Sequence, residues 1–288
     1  MSPAIADNRD NACLKIFQKR KVAIGVVHCP PLPGSPRFAG ENIETIYDQA
    51  LRDSEAYVRG GIDGLIIENH GDIPFLKPSE IGPETPAAMA VITDRVRREF
   101  GVPLGVNVLA NAAVQALAVA KAGGAGFVRV NQWANAYVAN EGLVEGEAAQ
   151  ALRFRSAIGA KDVMIFADAH VKHGAHAIVA DRSVTELTRD LEFFDADVVI
   201  ATGRRTGDAA DLGELEEIAQ ATRLPVFVGS GVTTDNVSEI LERADGVIIG
   251  SSLKADGVWW GAVDTQRVAA FMRKVTELRA KSRSLDAR

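Results

Sequence analysis

From residue 22 onward the sequence repeats one pattern: a short run too apolar to alternate, a polar or Gly/Pro-rich stretch, then an amphipathic helical segment. A strand that is apolar at every position has both faces covered, the condition of a parallel strand flanked by helices. Such runs fall at 22–28 (VAIGVVH), 62–69 (IDGLIIEN), 103–109 (PLGVNVL), 126–131 (GFVRVN), 162–170 (DVMIFADAH) and 197–203 (DVVIATG). Two more lie in residues 225–254, PVFVGSGVTTDNVSEILERADGVIIGSSLK. The spacing predicts helices over 43–59, 87–100, 112–122, a segment ending at 158, then 184–194, 212–222 and 265–281, with one more between the last two strands. Eight strand–helix units predict an α/β fold, a single-domain (β/α)8 TIM barrel over 21–288. A doubly wound open sheet would show the same alternation. The eighth unit, and long loops that follow strands rather than helices, favour the barrel.

The strands are entered in two ways. GGIDG, GGAG, FDAD and RADG precede the even ones, whereas GVPL, AKD and RLP precede strands three, five and seven. This suggests a (βα)2 unit used four times. Residues 1–20 form a separate extension, a loose start and a helical turn or two, with Leu14, Ile16 and Phe17 placed to cover the amino-terminal mouth.

Composition narrows the function classes. The net charge of −6 provides no basic footprint, which argues against nucleic acid as the main partner. No apolar run approaches the ~20 residues needed to span a bilayer, and the first residues carry charges where a signal peptide is apolar. We expect a cytoplasmic protein without a transmembrane segment, a homo-oligomer, with Cys13 and Cys29 as reduced thiols.

In a barrel, chemistry sits on the loops that follow strands, and here those ends are polar. Residues two apart on a strand share a face. This places Glu68 with His70, Arg129 with Asn131, and Asp168 with His170. His28, Asn69, Asn107 and Thr202 end or nearly end their strands and are read as substrate-binding groups, with Asn131. Each also has a structural reading: His28 as a strand cap, Asn69 as a loop holder, Asn107 as a partner for backbone groups, Arg129 as the counter-ion of Glu68 or Asp168. Asp168 and His170 form the strongest chemical pair, a carboxylate and an imidazole suited to acid/base work, with Glu68 and Arg129 as the other catalytic candidates. Glu68, Asp168 and His170 would also suit a divalent metal. No Cys2His2-type or His-Glu-x-x-His spacing points to structural zinc.

The most specific signal is a pair of small-residue turns after the last two strands, Gly229-Ser230-Gly231 and Gly250-Ser251-Ser252. Backbone N–H groups exposed in such turns hold phosphate, and barrels of this type use that place for it. Gly203 and the nearby Thr206-Gly207 would extend the anion site, and Lys254 would add a cation. Thr233 and Asp235 read as the N-cap region of the helix after the first turn.

The sequence resembles the BtpA/SgcQ family of ribulose-phosphate-binding-type barrels. VAIGVVHCPPLPGSPRFAG, GIDGLIIENHGDIPF, GVNVLANAA, FVRVN, ADAHVKH, PVFVGSGVTTDNV and ADGVIIGSSLKADG carry the resemblance, in order, from about residue 21 on. It implies the barrel fold, but no established reaction. The family is named for a factor of photosystem I biogenesis, and related members lie beside sugar-metabolism genes. Three readings follow: an enzyme acting on a phosphorylated sugar or related phosphate ester (isomerase, lyase/aldolase or hydrolase), a non-catalytic assembly factor for a membrane complex, or a sugar-phosphate sensor. The assembly reading would use exposed aromatics among Trp133, Tyr137, Trp259 and Trp260.

Overall fold

The computed structural model describes residues 9–203 and 211–286. Thr206-Gly207 and the first residues of the extension lie outside the described residues. In chain order the elements are α1 (Arg9–Phe17), β1 (Val22–His28), α2 (Ile43–Arg59), β2 (Gly64–Glu68), α3 (Glu84–Phe100), β3 (Leu104–Asn107), α4 (Ala113–Gly123) and β4 (Phe127–Val130). There follow β5 (Ala136–Ala139), β6 (Gly142–Glu145), α5 (Ala148–Ala157), β7 (Met164–Asp168), α6 (Val184–Phe193), β8 (Val198–Ala201), α7 (Leu212–Ala221), β9 (Val226–Val228), α8 (Val237–Arg243), β10 (Gly246–Ile249) and α9 (Thr265–Asp286). Eight parallel strands close in the order β1-β10-β9-β8-β7-β4-β3-β2. The chain is a TIM barrel, with each barrel strand followed by a helix on the outside.

The interior is filled by side chains, so it is a packed core and not a pore. Phe127 stacks on Phe166 with ring centroids 4.4 Å apart, and Phe227 meets Phe166 edge-on at 5.5 Å. Room for these rings comes from glycine opposite them: a Cβ on Gly105 would stand 2.2 Å from the Phe127 ring, and one on Gly246 2.5 Å from Phe227. Ile24, Ile66, Ile200 and Ile248 complete the same cluster. At the amino-terminal end α1 plugs the barrel, with Phe17 edge-on to Phe127 at 5.7 Å. Phe17 is buried as expected, whereas Leu14 faces solvent. Cys13 belongs to this plug and Cys29 follows the opposite end of β1, both buried thiols.

The two modes of strand entry have a physical cause at the amino-terminal rim. Asp63, Asp197 and Asp245 each precede an even-numbered barrel strand. Their carboxylates accept the N–H groups of Ala23, Ile165 and Val226 at 2.9, 2.8 and 2.9 Å, sealing the start of the preceding odd strand. Asp63 also pairs with Lys19 at 2.9 Å and with Arg279, tying α1's flank and α9 to the rim. The unit that reads GGAG has Ala125 at this position and no such carboxylate.

Two departures from the sequence reading concern the loops. Residues 132–146, expected to be an irregular loop, contain an antiparallel hairpin in which Ala139 pairs with Gly142 across Asn140-Glu141. Asn-Glu lacks the Asn-Gly signature of a tight hairpin, and the positive φ of +97° falls one residue later, on Gly142. Helix α3 begins at Glu84 rather than 87, because Pro86 is tolerated within a first turn.

Candidate active site

Parallel register brings three strand ends onto one rung at the carboxyl-terminal mouth: His28 is opposite Glu68, and Glu68 opposite Asn107. Glu68 is buried there, its Oε2 accepting from Asn107 Nδ2 at 2.8 Å and its Oε1 from His70 Nδ1 at 3.0 Å. Strand β2 ends at Glu68, and His70 opens a short 3-10 turn, yet its ring folds back to the carboxylate. His28 Nδ1 donates to the carbonyl of Trp259 at 3.0 Å, which leaves Nε2 facing Glu68 Oε1 at 3.6 Å. Burial, helped by the charge of Lys254, brings the His28 pKa down to about 3, so its ring is neutral at physiological pH. Burial opposes the charge on Glu68, but the His70 hydrogen bond and the nearby Arg129 outweigh it and hold its carboxyl well below the usual range. The ring of Trp259 covers both imidazoles, with centroids 4.5 Å from His70 and 6.0 Å from His28.

The second half of the mouth is built on β4 and β7. Arg129 grips Asp168 with two parallel bonds, Nε to Oδ1 and Nη2 to Oδ2, both 3.0 Å, and Asn131 Nδ2 donates to Oδ2 at 3.1 Å. The Asp168 side chain is fully withdrawn from solvent. The expected Asp168–His170 pair is not formed. β7 ends at Asp168, so the alternation that would align His170 with it stops there. His170 instead directs Nδ1 to Glu214 of α7 at 3.1 Å, and its ring lies against His176, which stacks on Tyr137. Glu68, Asp168 and His170 are therefore not assembled as a metal set. Among the described residues, the group with metal-ligand spacing is His28, Glu68 and His70, whose candidate ligand atoms all lie within 4.8 Å of one another.

Several expected substrate ligands are engaged with protein. Asn69 accepts from Leu109 N–H at 2.7 Å and donates to Asp72 at 2.9 Å, holding two loops together. Thr202 Oγ1 donates to the His170 carbonyl at 3.0 Å and accepts from the Lys172 N–H at 3.1 Å, clipping the loop after β7. Lys254 is buried rather than at the surface, its ammonium 3.7 Å from Asp53. Asn107 and Asn131 each keep a buried amide oxygen with no hydrogen-bond partner among the described residues.

The two small-residue turns lie side by side, joined by Ser252 Oγ donating to the Val232 carbonyl at 2.7 Å. Gly229 gives its N–H to Ala201 O at 2.8 Å, so that donor is already used. Its lack of a side chain makes room for Ile200 and Arg129: a Cβ would stand 2.7 Å from Ile200 Cγ2 and 3.2 Å from Arg129 Nη2. Gly250 does the same for His28, whose Cε1 would be 2.9 Å from an added Cβ. Gly231 takes a φ of +64°, and Ser230 and Gly203 are both buried. Ser251 and Ser252 open a 3-10 turn after Gly250. Thr233 and Asn236 form the cap before α8, with Thr233 Oγ1 accepting from the N–H of Asp235.

The residue that sequence reading passed over is Lys172, four residues beyond Asp168 in a loop with no periodicity. It is partly buried, and among the described residues its ammonium has no ion-pair partner. Desolvation and the nearby Arg129, opposed by Glu68 and Asp168, bring its pKa down to about 8. Of the loop aromatics, Trp133 is buried with its indole N–H on the Phe194 carbonyl at 2.8 Å, and Tyr137 is also buried. Only Trp260 of the four is exposed.

Comparison with known proteins fits this barrel with its polar mouth. A profile of the BtpA family matches residues 19–277. The chain belongs to the BtpA family. Its relatives include an uncharacterized protein of Archaeoglobus fulgidus, 44% identical over 88% of this chain and 98% of that protein. The photosystem I biogenesis protein BtpA of Synechocystis is 40% identical over 91% of this chain and 90% of its own length. Solved structures sharing the fold include thiamine phosphate pyrophosphorylase from Pyrococcus furiosus, with a TM-score of 0.55 and 16% identity over 90% of this chain and 96% of that one. N-(5'-phosphoribosyl)anthranilate isomerase from the same organism gives 0.55 and 14% over 89% and 99%. At such identities the likeness concerns the barrel alone. Among the described residues of this BtpA-family chain, no helix is long and apolar enough to cross a membrane.

Proposed function

We propose that the chain is an enzyme that holds a phosphorylated sugar or related phosphate ester across the barrel mouth and moves protons on its far end. The observation that carries this reading is Lys172, an amine without an ion-pair partner among the described residues, set near Arg129, Glu68 and Asp168 with its pKa brought down to about 8. Burying such a group costs stability, which makes sense where a neutral amine is needed as a base. In this reading the phosphate docks on the turns Gly229–Gly231 and Gly250–Ser252. Arg129, held by Asp168 and Asn131, stabilises negative charge that develops on the substrate. Lys172 takes a proton, and Asn107 and Asn131 orient hydroxyls. Isomerisation, aldol cleavage and hydrolysis of a phosphate ester all use such a set. The two barrels named above are, by name, enzymes of phosphorylated compounds, so the fold itself is compatible with a substrate of that class.

A second reading, a non-catalytic assembly factor, draws support from the name of the Synechocystis relative and from the exposed Trp260. It gives no role to Lys172. Thermal-shift measurements with a panel of sugar phosphates and their dephosphorylated counterparts separate the readings. The phosphorylated member of the right pair is expected to raise Tm by several degrees, about 2.7 kcal/mol of stabilisation at a hundredfold excess over Kd. Ser251→Asp, which places a carboxylate in the second turn, is expected to abolish that shift while leaving the unliganded Tm nearly unchanged. A panel without any shift would overturn the phosphate-ester reading, and binding without turnover would leave a sensor.

A further inference from the structure

We propose that His28, Glu68 and His70 form a binding site for one divalent first-row transition-metal ion of the zinc class, with an open position facing the mouth. Two imidazoles and one carboxylate are a recurring ligand set for an ion that also carries water or substrate. Geometry, not composition alone, points to it. His28 Nδ1 faces a carbonyl oxygen, Trp259 O at 3.0 Å, and must donate its proton there. In that neutral tautomer Nε2 turns a lone pair toward Glu68 Oε1, which has only lone pairs to offer, 3.6 Å away. That distance is too long for a hydrogen bond. It suits two ligands of one ion, since bonds of about 2.0–2.2 Å in tetrahedral geometry set donor atoms about 3.3–3.6 Å apart. A cation between the two atoms turns a repulsion into two bonds. His70 Nδ1, 3.0 Å from the same oxygen, completes the group on exchanging its proton for the metal.

The surroundings are those of a supported metal site. Orientation of the ligands by outer hydrogen bonds is the usual arrangement, and such bonds are present here. The Trp259 carbonyl fixes the His28 ring, and Asn107 Nδ2 occupies Glu68 Oε2 at 2.8 Å, which leaves Oε1 to bind as a single donor. The buried Oδ1 of Asn107 has no donor among the described residues, and a metal-bound water would provide one. The indole of Trp259 shields the two imidazoles on one side. An ion here would polarise a carbonyl or hydroxyl of whatever occupies the mouth.

Metal analysis of the purified protein, chelator treatment and titration with Zn2+ or Co2+ test the site, with the visible spectrum of Co2+ as the signature of imidazole and carboxylate ligation. The wild type is expected to bind about one ion per chain. His70→Gln and Glu68→Gln are expected to lose stoichiometric binding, and Asn107→Ala to weaken it by about 10- to 100-fold. His176→Gln, outside the ligand set, is expected to bind as the wild type does. Circular dichroism identifies any variant that fails to fold, and His70, beyond the end of β2, is the ligand whose replacement disturbs the barrel least. A wild type that binds neither ion stoichiometrically would overturn the proposal, as would binding that survives in both ligand variants. No phosphate ester enters this titration, so its outcome is separate from that of the phosphate-ester reading.

Discussion

Replacing Asp168 with alanine is expected to lower stability by about 3–5 kcal/mol, the usual cost of leaving one member of a buried ion pair alone. The Arg129 guanidinium has two of its donors on Asp168 at 3.0 Å, and both side chains are almost wholly out of water. Without the carboxylate, a permanent charge stays buried with only Glu68, among the described residues, to offset it. Urea denaturation would show this as a lower midpoint with an unchanged slope, and added salt would not alter the difference, because a buried pair is little screened. The double replacement Arg129→Met with Asp168→Leu is expected to recover most of the loss, since apolar groups of similar volume often match a buried pair in stability. It is not expected to recover turnover, because nothing then stabilises charge on the substrate. A loss below about 1 kcal/mol in Asp168→Ala would show that the pair is not what holds Arg129. This refines the part that sequence assigned to Asp168. Both its oxygens are committed to Arg129 and Asn131, so it positions a cation and is poorly placed to take a proton.

The barrel was readable because eight apolar runs alternate with helices and the long loops follow the strands, and the polar strand ends were readable because packing alone does not select them. His28, Glu68 and Asn107 each end a strand, and register alone puts them on one rung. Pairing beyond the strand ends was not readable. Alternation placed His70 with Glu68 and His170 with Asp168 by the same rule. Both strands end at the acid, so the backbone is free to turn either ring. One folds back to its carboxylate and the other goes to Glu214. Lys254, expected to add a cation to the anion turns, is instead paired with Asp53, which lies some two hundred residues earlier on α2 and so carries no local signal. Trp133, read among the exposed aromatics, is instead held in the core, because the end of α6 that takes its indole N–H lies some sixty residues on and gives no local signal. The glycines of the last two turns were assigned to phosphate. Gly250 is also required by the close approach of His28, and Gly229 by that of Ile200 with Arg129 just beyond, so both turns pack directly against the side chains of the mouth.

Lys172→Met is expected to lower kcat by about 10²- to 10⁴-fold while leaving the protein as stable as the wild type or more so at pH 7. The sign follows from the lysine's environment. Its pKa falls from 10.5 to about 8 in the folded chain, chiefly through desolvation, so folding disfavours the protonated amine. Below about pH 8 both folded and unfolded chains carry the proton, and the penalty is fully present, about 3–3.5 kcal/mol at most. Between about 8 and 10.5 the unfolded chain binds more protons, so this group's penalty is relieved and stability rises with pH there. Methionine removes the penalty, so the wild-type and variant stability curves should converge as pH rises through that window. Turnover should run the other way. A neutral amine acting as base gives kcat/KM an acid limb that climbs tenfold per pH unit up to about pH 8 and then levels. Lys172→Arg separates this from a purely electrostatic role, because arginine keeps the charge but cannot give up its proton. If the amine is the base, arginine is expected to lose about 10²- to 10⁴-fold in kcat, much as methionine does. If the charge alone matters, arginine will restore most of the activity, the acid limb will vanish, and Lys172 will join Arg129 as an anion holder rather than a base.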